Sequence, residues 1–199
     1  MDCRVVDCRV AILAGGLSTR LGQPKATAEL AGRRLIDYPL AAAQAAGLEA
    51  VVVAKPRNDL PPLGVPLLRE PAEPQHPLCG VLAALRDSGR PVLAVACDMP
   101  FLAPDLLAWL ASQPEPLVVA ETERGLQPLL ARYDPVLTEA LEVGLRREAP
   151  MQELVASLNP RTVGDRVLRR FGDSERLCFN VNSPSDLARA ERMLAAVRA

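Results

Sequence analysis

Aromatic residues, lysine and histidine are all scarce in this chain. Only 3% of its 199 residues are Phe, Trp or Tyr, so the core has to be built from Leu, Val and Ala. Two lysines stand against 21 arginines, and the one histidine is His76. Five cysteines (Cys3, Cys8, Cys79, Cys97 and Cys178) form no C-x-x-C pair. With a single histidine, that spacing excludes a zinc site and a dithiol redox motif. The odd count reads as reduced thiols in the cytoplasm, with Cys97 and Cys178 buried on strands. Cys97 is a poor nucleophile because no base other than His76 is at hand. A formal net charge of −1 leaves no basic surplus, which argues against a nucleic-acid binder. No apolar run approaches the roughly 20 residues needed to cross a bilayer. Met1-Asp2-Cys3-Arg4 lacks the apolar segment of a signal peptide. The expectation is a cytoplasmic protein that engages neither nucleic acid nor membrane.

What is present is a regular alternation. Nearly half the residues are hydrophobic, enough for one sizeable core, so residues 1–199 are expected to form a single domain. Strands are predicted over 10–14, 50–54, 65–69, 91–97, 117–121, 127–133 and 177–181. Helices are predicted over 35–46, 77–87, 104–111, 135–147 and 184–197. The run Val92-Leu93-Ala94-Val95-Ala96 is apolar throughout, as in strands covered on both faces. Gly47 and Gly89 sit where helix C-terminal stops belong. The pattern reads as a Rossmann-like α/β sandwich of three layers around a mostly parallel sheet. In such sheets ligands bind beyond the carboxyl ends of the strands. A Pro-rich stretch, Glu70-Pro71-Ala72-Glu73-Pro74-Gln75-His76-Pro77, is either a rigid loop over the site or a solvated connector.

The most informative segment is Leu13-Ala14-Gly15-Gly16-Leu17-Ser18-Thr19-Arg20-Leu21-Gly22-Gln23-Pro24-Lys25. A strand that empties into a glycine-rich loop can bring bare backbone N–H groups against phosphate oxygens. Arg20 and Lys25 add two cations. A P-loop is excluded because no Lys follows Gly22, and the paired Gly15-Gly16 breaks the dinucleotide fingerprint. One of only two lysines stands in this loop, and a compact ammonium suits a phosphate.

Cys97-Asp98-Met99-Pro100 closes the strongest strand. Asp98 there can hold Mg²⁺ through one carboxylate while phosphate and water complete the octahedron. Alternatively it only caps the next turn. In Phe179-Asn180-Val181-Asn182-Ser183-Pro184-Ser185-Asp186, capping explains Ser183, Pro184 and Asp186. It leaves Asn180 and Asn182, which alternate with Val181 and are expected on one strand face, either orienting phosphate or metal-bound water or satisfying buried backbone. Gln127-Pro128-Leu129 through Tyr133 reads as a core strand rather than the rim of a second-substrate cleft.

Taken in order and spacing, the glycine loop, Cys97-Asp98-Met99-Pro100, Gln127-Pro128-Leu129 with Tyr133, and the Asn-Val-Asn-Ser-Pro segment resemble the molybdenum cofactor guanylyltransferases. The resemblance covers nearly the whole chain. It implies a nucleotidyltransferase that joins GMP from GTP to the phosphate of molybdenum-molybdopterin and releases pyrophosphate. Carried over by position, Leu13, Ala14, Gly15 and Gly16 contact GTP, Lys25 its phosphates, and Asp98 the Mg²⁺, with Mn²⁺ as the alternative ion. Lys25, Arg20 and Asp98 form the expected catalytic set, with Asn180 and Asn182 in support. Two further family contacts fall on Ala54 and Glu70, where the family often has Asn and Asp. His76 stands where Gly is common, so the loop into Gly80 is expected to differ. Molybdenum-insertion proteins and molybdoenzyme chaperones are the implied protein partners. The nearest rival is a molybdopterin cytidylyltransferase, whose loop opens Leu-Ala-Ala-Gly rather than with paired glycines.

Overall fold

A computed structural model of the chain describes residues 7–16, 21 and 24–198, with backbone alone for 197 and 198. Arg20, Gly22 and Cys3, singled out above, lie outside the described residues. In chain order the elements are β1 (Arg9–Leu13), β2 (Glu29–Leu30), β3 (Arg33–Arg34), α1 (Asp37–Ala45), β4 (Ala50–Ala54), β5 (Leu67–Arg69), α2 (Leu78–Ser88), β6 (Val92–Ala96), α3 (Pro104–Ala111), β7 (Leu117–Thr122) and β8 (Gly125–Tyr133). There follow α4 (Thr138–Arg146), α5 (Met151–Ser157), β9 (Arg161–Val163), α6 (Asp165–Leu168), α7 (Ser174–Leu177) and α8 (Pro184–Arg198).

Seven strands form one sheet in the order β5-β4-β1-β6-β8-β7-β9. Strands β5, β4, β1 and β6 pair in parallel, as do β7 and β9, whereas β8 runs antiparallel to both its neighbours. The expected mostly parallel sandwich is therefore present, with one reversed strand. The parallel strands need cover on both faces because their residues are apolar on both. Val10 and Ile12 of β1 pack with α3 residues such as Leu106 and Leu110 on one side. Ala11 packs with Leu78, Leu82 and Leu85 of α2 on the other. A third cluster joins Leu30, Leu35, Phe179, Val181 and Ala190, so the β2–β3 hairpin and α8 share a small core beside the sheet.

From β1 the chain moves outward to β4 and β5, then returns across β1 to β6. That reversal parts the loops after β1 and β6 and opens a crevice at their carboxyl ends. Helix stops behave as read: Gly89 is left-handed (φ 63°) and donates to the Leu85 carbonyl, and Gly47 has φ 69°.

Several elements differ from the sequence reading. Residues 177–181 are not a strand: α7 ends at Leu177 and the chain then runs irregularly into α8. Cys178 is buried there without belonging to a strand, and Cys97 follows β6 rather than lying in it. The β2–β3 hairpin, α5 and β9 were not predicted, being too short or too polar to show a period. Pro128 falls inside β8, not at its start. It is tolerated because the pairing with β7 slips there, from Val119 opposite Ala131 to Ala120 opposite Gln127, so no N–H is needed from Pro128.

Candidate active site

The crevice is a cleft of about 940 Å³, lined by the loops after β1, β4, β5 and β6 and by the start of β8. Its floor is set by backbone pairing. Ala14 N–H donates to Val53 O (2.8 Å), its carbonyl accepts from Asn58 Nδ2 (2.7 Å), and Cys97 N–H donates to Leu13 O (3.2 Å). With Ala14 pinned at both polar groups, the free donors are further on. The N–H groups of Gly15 and Gly16 meet no acceptor among the described residues. That is the arrangement a phosphate requires. Gly15 has a steric reason to be glycine, since an added Cβ would stand 1.8 Å from Glu70 Oε1. Gly16 has none, having open space around it.

Lys25 opens a single 3₁₀ turn, Lys25–Thr27, placed by Pro24. Its Nζ donates to Asp98 Oδ2 (2.8 Å) and to Asn182 Oδ1 (2.5 Å). Asp98 is buried, and its other oxygen, Oδ1, has no hydrogen-bond partner among the described residues. Its carbonyl accepts from Val181 N–H (3.0 Å), which brings the 180–182 segment against the end of β6. Asn182 N–H in turn donates to Asp186 Oδ2 (3.0 Å), and Ser183 Oγ accepts from Asp186 N–H (3.2 Å), the expected cap of α8. The cap thus fixes the asparagine that meets Lys25. Asn180 donates to Cys178 O (3.1 Å) and also lines the cleft. The two asparagines reach one site, but from an irregular segment and not a strand face.

Of the described residues expected to contact nucleotide, Leu13, Ala14, Gly15, Gly16, Lys25, Glu70 and Asp98 line the cleft. Ala54 does not: it is fully buried in β4, and its carbonyl accepts from Glu70 N–H (3.1 Å). The wall there is Lys55, which sequence reasoning passed over although it is the other of the two lysines. Its Nζ donates to Pro71 O (2.7 Å) and Pro74 O (3.1 Å) and stands 3.9 Å from Glu70 Oε2. The Pro-rich stretch is therefore tethered at the cleft rather than a solvated connector. Burial raises the Glu70 carboxyl above its usual range, and the Lys55 ammonium opposes that rise. Asn58 was also missed; its spacing from β1 carries no local signal.

His76 resolves the departure noted near Gly80. Its Nδ1 accepts from Leu78 N–H (3.1 Å), so the ring caps α2, and Nε2 donates to Ala149 O (3.1 Å). The first half of β8 contributes Leu126, Gln127, Pro128 and Leu129 to the cleft, so this strand serves both core and cleft wall. The described cysteines are free and buried. Burial, and for Cys97 the adjacent Asp98 charge, push the thiols up, Cys178 to about 11, which removes them as nucleophiles.

Gly15, Gly16, Lys25 and Asp98 thus converge where the strand order reverses. Residues 10–163 match the model of the MobA-like NTP transferase domain. The chain belongs to the MobA-like NTP transferase family. It is 33% identical to a probable molybdenum cofactor guanylyltransferase of Pelotomaculum thermopropionicum, over 92% of this chain and 91% of that one. Identity is 35% to a molybdenum cofactor guanylyltransferase of Cereibacter sphaeroides, over 92% and 95%. Among solved structures, molybdopterin-guanine dinucleotide biosynthesis protein A from Archaeoglobus fulgidus superposes with a TM-score of 0.78 at 24% identity, over 94% of this chain and 99% of that one, a likeness of fold. The chain is a nucleotidyltransferase of this family. Among the described residues no helix is long and apolar enough to cross a membrane.

Proposed function

We propose that this nucleotidyltransferase transfers GMP from GTP to the terminal phosphate of molybdenum-molybdopterin, forming the guanine dinucleotide cofactor and pyrophosphate. The observation that carries the reading is the meeting of Lys25 and Asp98 across the mouths of β1 and β6, beside the N–H groups of Gly15 and Gly16, which meet no acceptor among the described residues. The acceptor phosphate attacks the α-phosphorus of GTP in line, and pyrophosphate leaves. Two anions must meet, so the site has to supply positive charge and fixed donors rather than a covalent nucleophile. Gly15 and Gly16 hold phosphate oxygens. Lys25, released from Asp98 Oδ2, takes charge that develops on the phosphates, and Asn182 keeps the ammonium aimed. Arg20 is a second cation of the same loop.

Asp98 Oδ1, without a partner among the described residues, fits a divalent ion, because a buried carboxylate oxygen without a donor is costly unless something occupies it. Among the described residues no cluster of three or more acidic, Cys or His side chains could hold one. Asp98 would therefore share Mg²⁺, or Mn²⁺, with phosphate oxygens and water. When bound, the ion neutralises charge on the triphosphate.

Guanine is favoured over cytosine by Glu70. An ionised carboxylate only accepts hydrogen bonds. Guanine offers adjacent N1–H and N2–H₂ donors on one edge, whereas cytosine offers one amino group beside two acceptors. The reaction also calls for a source of metal-loaded pterin, which fits delivery by a molybdenum-insertion protein in the cytoplasm. The test is mass analysis of products after mixing the chain with Mg²⁺, metal-loaded molybdopterin and either GTP or CTP. A guanine dinucleotide with release of pyrophosphate is expected. Product from CTP alone, or GTP hydrolysed without transfer, overturns the reading.

A further inference from the structure

Lys55 is buried to 3% exposure at the end of β4, in the wall of the cleft, and nothing in the transfer step uses it. A lysine is almost never fully buried unless its charge is compensated. Two of its three donors are spent on the carbonyls of Pro71 and Pro74. The third direction faces Glu70, whose Oε2 is buried, lies 3.9 Å away and has no hydrogen-bond partner among the described residues. Glu70 Oε1 is meanwhile set against Gly15, so close that a Cβ there would overlap it. The carboxylate is thus held between a cation behind it and the glycine loop in front. The preceding residue, Ala54, has no side-chain donor that could share the task.

We propose that Lys55 is the positioning residue for base recognition: its ammonium holds the Glu70 carboxylate as an anion against the glycine loop, and through Glu70 it sets the preference for guanine. This rests on the reading that the chain binds GTP with its base at Glu70. The other groups around Glu70 do not substitute for Lys55. Gly15 and Gly80 bring no charge, the Cys79 thiol is pushed up by burial, and Arg69 is committed to the carbonyls of Lys55 and Asn58. Without the ammonium, burial acts on Glu70 unopposed and favours its protonated form, which presents a donor where guanine also presents donors.

The test compares binding of GTP and ITP, which lacks the 2-amino group, to the full chain and to K55M, K55R, E70Q and the K55M/E70Q double variant. A charge-assisted hydrogen bond to the 2-amino group should give the unaltered chain about a tenfold or greater preference for GTP. K55M should abolish most of that preference near neutral pH and regain it, relative to the unaltered chain, as pH rises and Glu70 ionises. K55R should keep it. In the E70Q background K55M should change the GTP-to-ITP ratio no further, because the coupling runs through Glu70. If K55M fails to fold, K55R and the comparison of E70Q with K55M/E70Q, which carries no lone buried carboxylate, still decide the matter. A K55M protein that weakens GTP and ITP equally at every pH, or a K55M/E70Q protein whose GTP-to-ITP ratio differs from that of E70Q, makes Lys55 a mere tether of the Pro71–Pro74 turn and overturns the proposal. Absence of GTP binding by the unaltered chain instead overturns the function on which it rests.

Discussion

Substitution Lys25→Ala separates catalysis from folding. The ammonium stands 2.8 Å from Asp98 Oδ2 and its side chain is 23% exposed, while the Asp98 side chain is only 8% exposed. At that distance the attraction is about 6 kcal/mol for an effective dielectric constant of about 20. Most of it is cancelled by the desolvation of two charges. Removing Lys25 leaves a buried carboxylate whose Oδ1 already lacks a partner among the described residues. The net cost to folding should be about 1–3 kcal/mol, the penalty of an unpaired buried polar group. The loss in catalysis should be larger, about 3–4 kcal/mol of barrier or a hundredfold to a thousandfold in turnover, as for other preorganised charge stabilisers. Urea unfolding reads the first quantity and pyrophosphate release the second. The double variant K25A/D98N should recover much of the lost stability, because a neutral amide no longer needs a counter-charge, yet recover no activity. If K25A/D98N is as unstable as the sum of the single variants, or if turnover falls less than about tenfold, the role given to Lys25 is wrong.

Three more substitutions test the surroundings. Gly15→Ala puts a methyl group 1.8 Å from Glu70 Oε1, so GTP affinity should drop sharply while the shorter E70D in the same background restores part of it; no change in affinity would show that the two groups do not touch. Ser183→Ala removes the acceptor for Asp186 N–H and should cost about 1 kcal/mol of stability in urea titration, with a further fall in turnover because the cap positions Asn182; normal turnover in a destabilised protein would deny that link. For Glu70 the folded-state pKa lies above its ordinary 4.5 through burial, with Lys55 opposing. Its stabilising contribution is therefore present in acid and is lost as pH rises through that raised value. The stability of E70Q relative to the unaltered chain should then grow from acidic to neutral pH, and a gap that narrows instead would contradict the burial argument.

The layers of this fold were legible because they depend on patterns a few residues long. The all-apolar runs of β1, β4 and β6 marked strands covered on both faces, and Gly47 and Gly89 marked where helices stop. Short elements escaped. Two-residue strands such as Glu29–Leu30 and Arg33–Arg34 carry no period to detect, and Arg161–Val163 is exposed along most of its length. The Asn-Val-Asn segment alternates like a strand, yet its backbone turns to donate to the Asp98 carbonyl and to Asp186. The alternation arose from two polar side chains serving one site, not from a pleated face.

The same reasoning explains why the proposed phosphate half of the site left a motif of its own in the sequence, whereas the proposed base half was reached only through the family resemblance. Phosphate recognition relies on backbone N–H groups and point charges, which leave compact marks: two glycines, a lysine, an aspartate after a strand. At the proposed base end the acceptor would be assembled from parts that carry no motif. Ala54 offers no side-chain donor, Lys55 follows β4 where a surface residue would be ordinary, and Glu70 follows β5 at the head of a proline-rich run. Only the parallel pairing of β4 with β5, with Ala54 opposite Arg69, brings the two ends level, so that an ammonium and a carboxylate 15 residues apart come within 3.9 Å. A compensated buried charge of this kind is costly and contributes little to folding. Its presence in the wall of the cleft is better accounted for by the proposed role toward a nucleotide than by what it does for the fold.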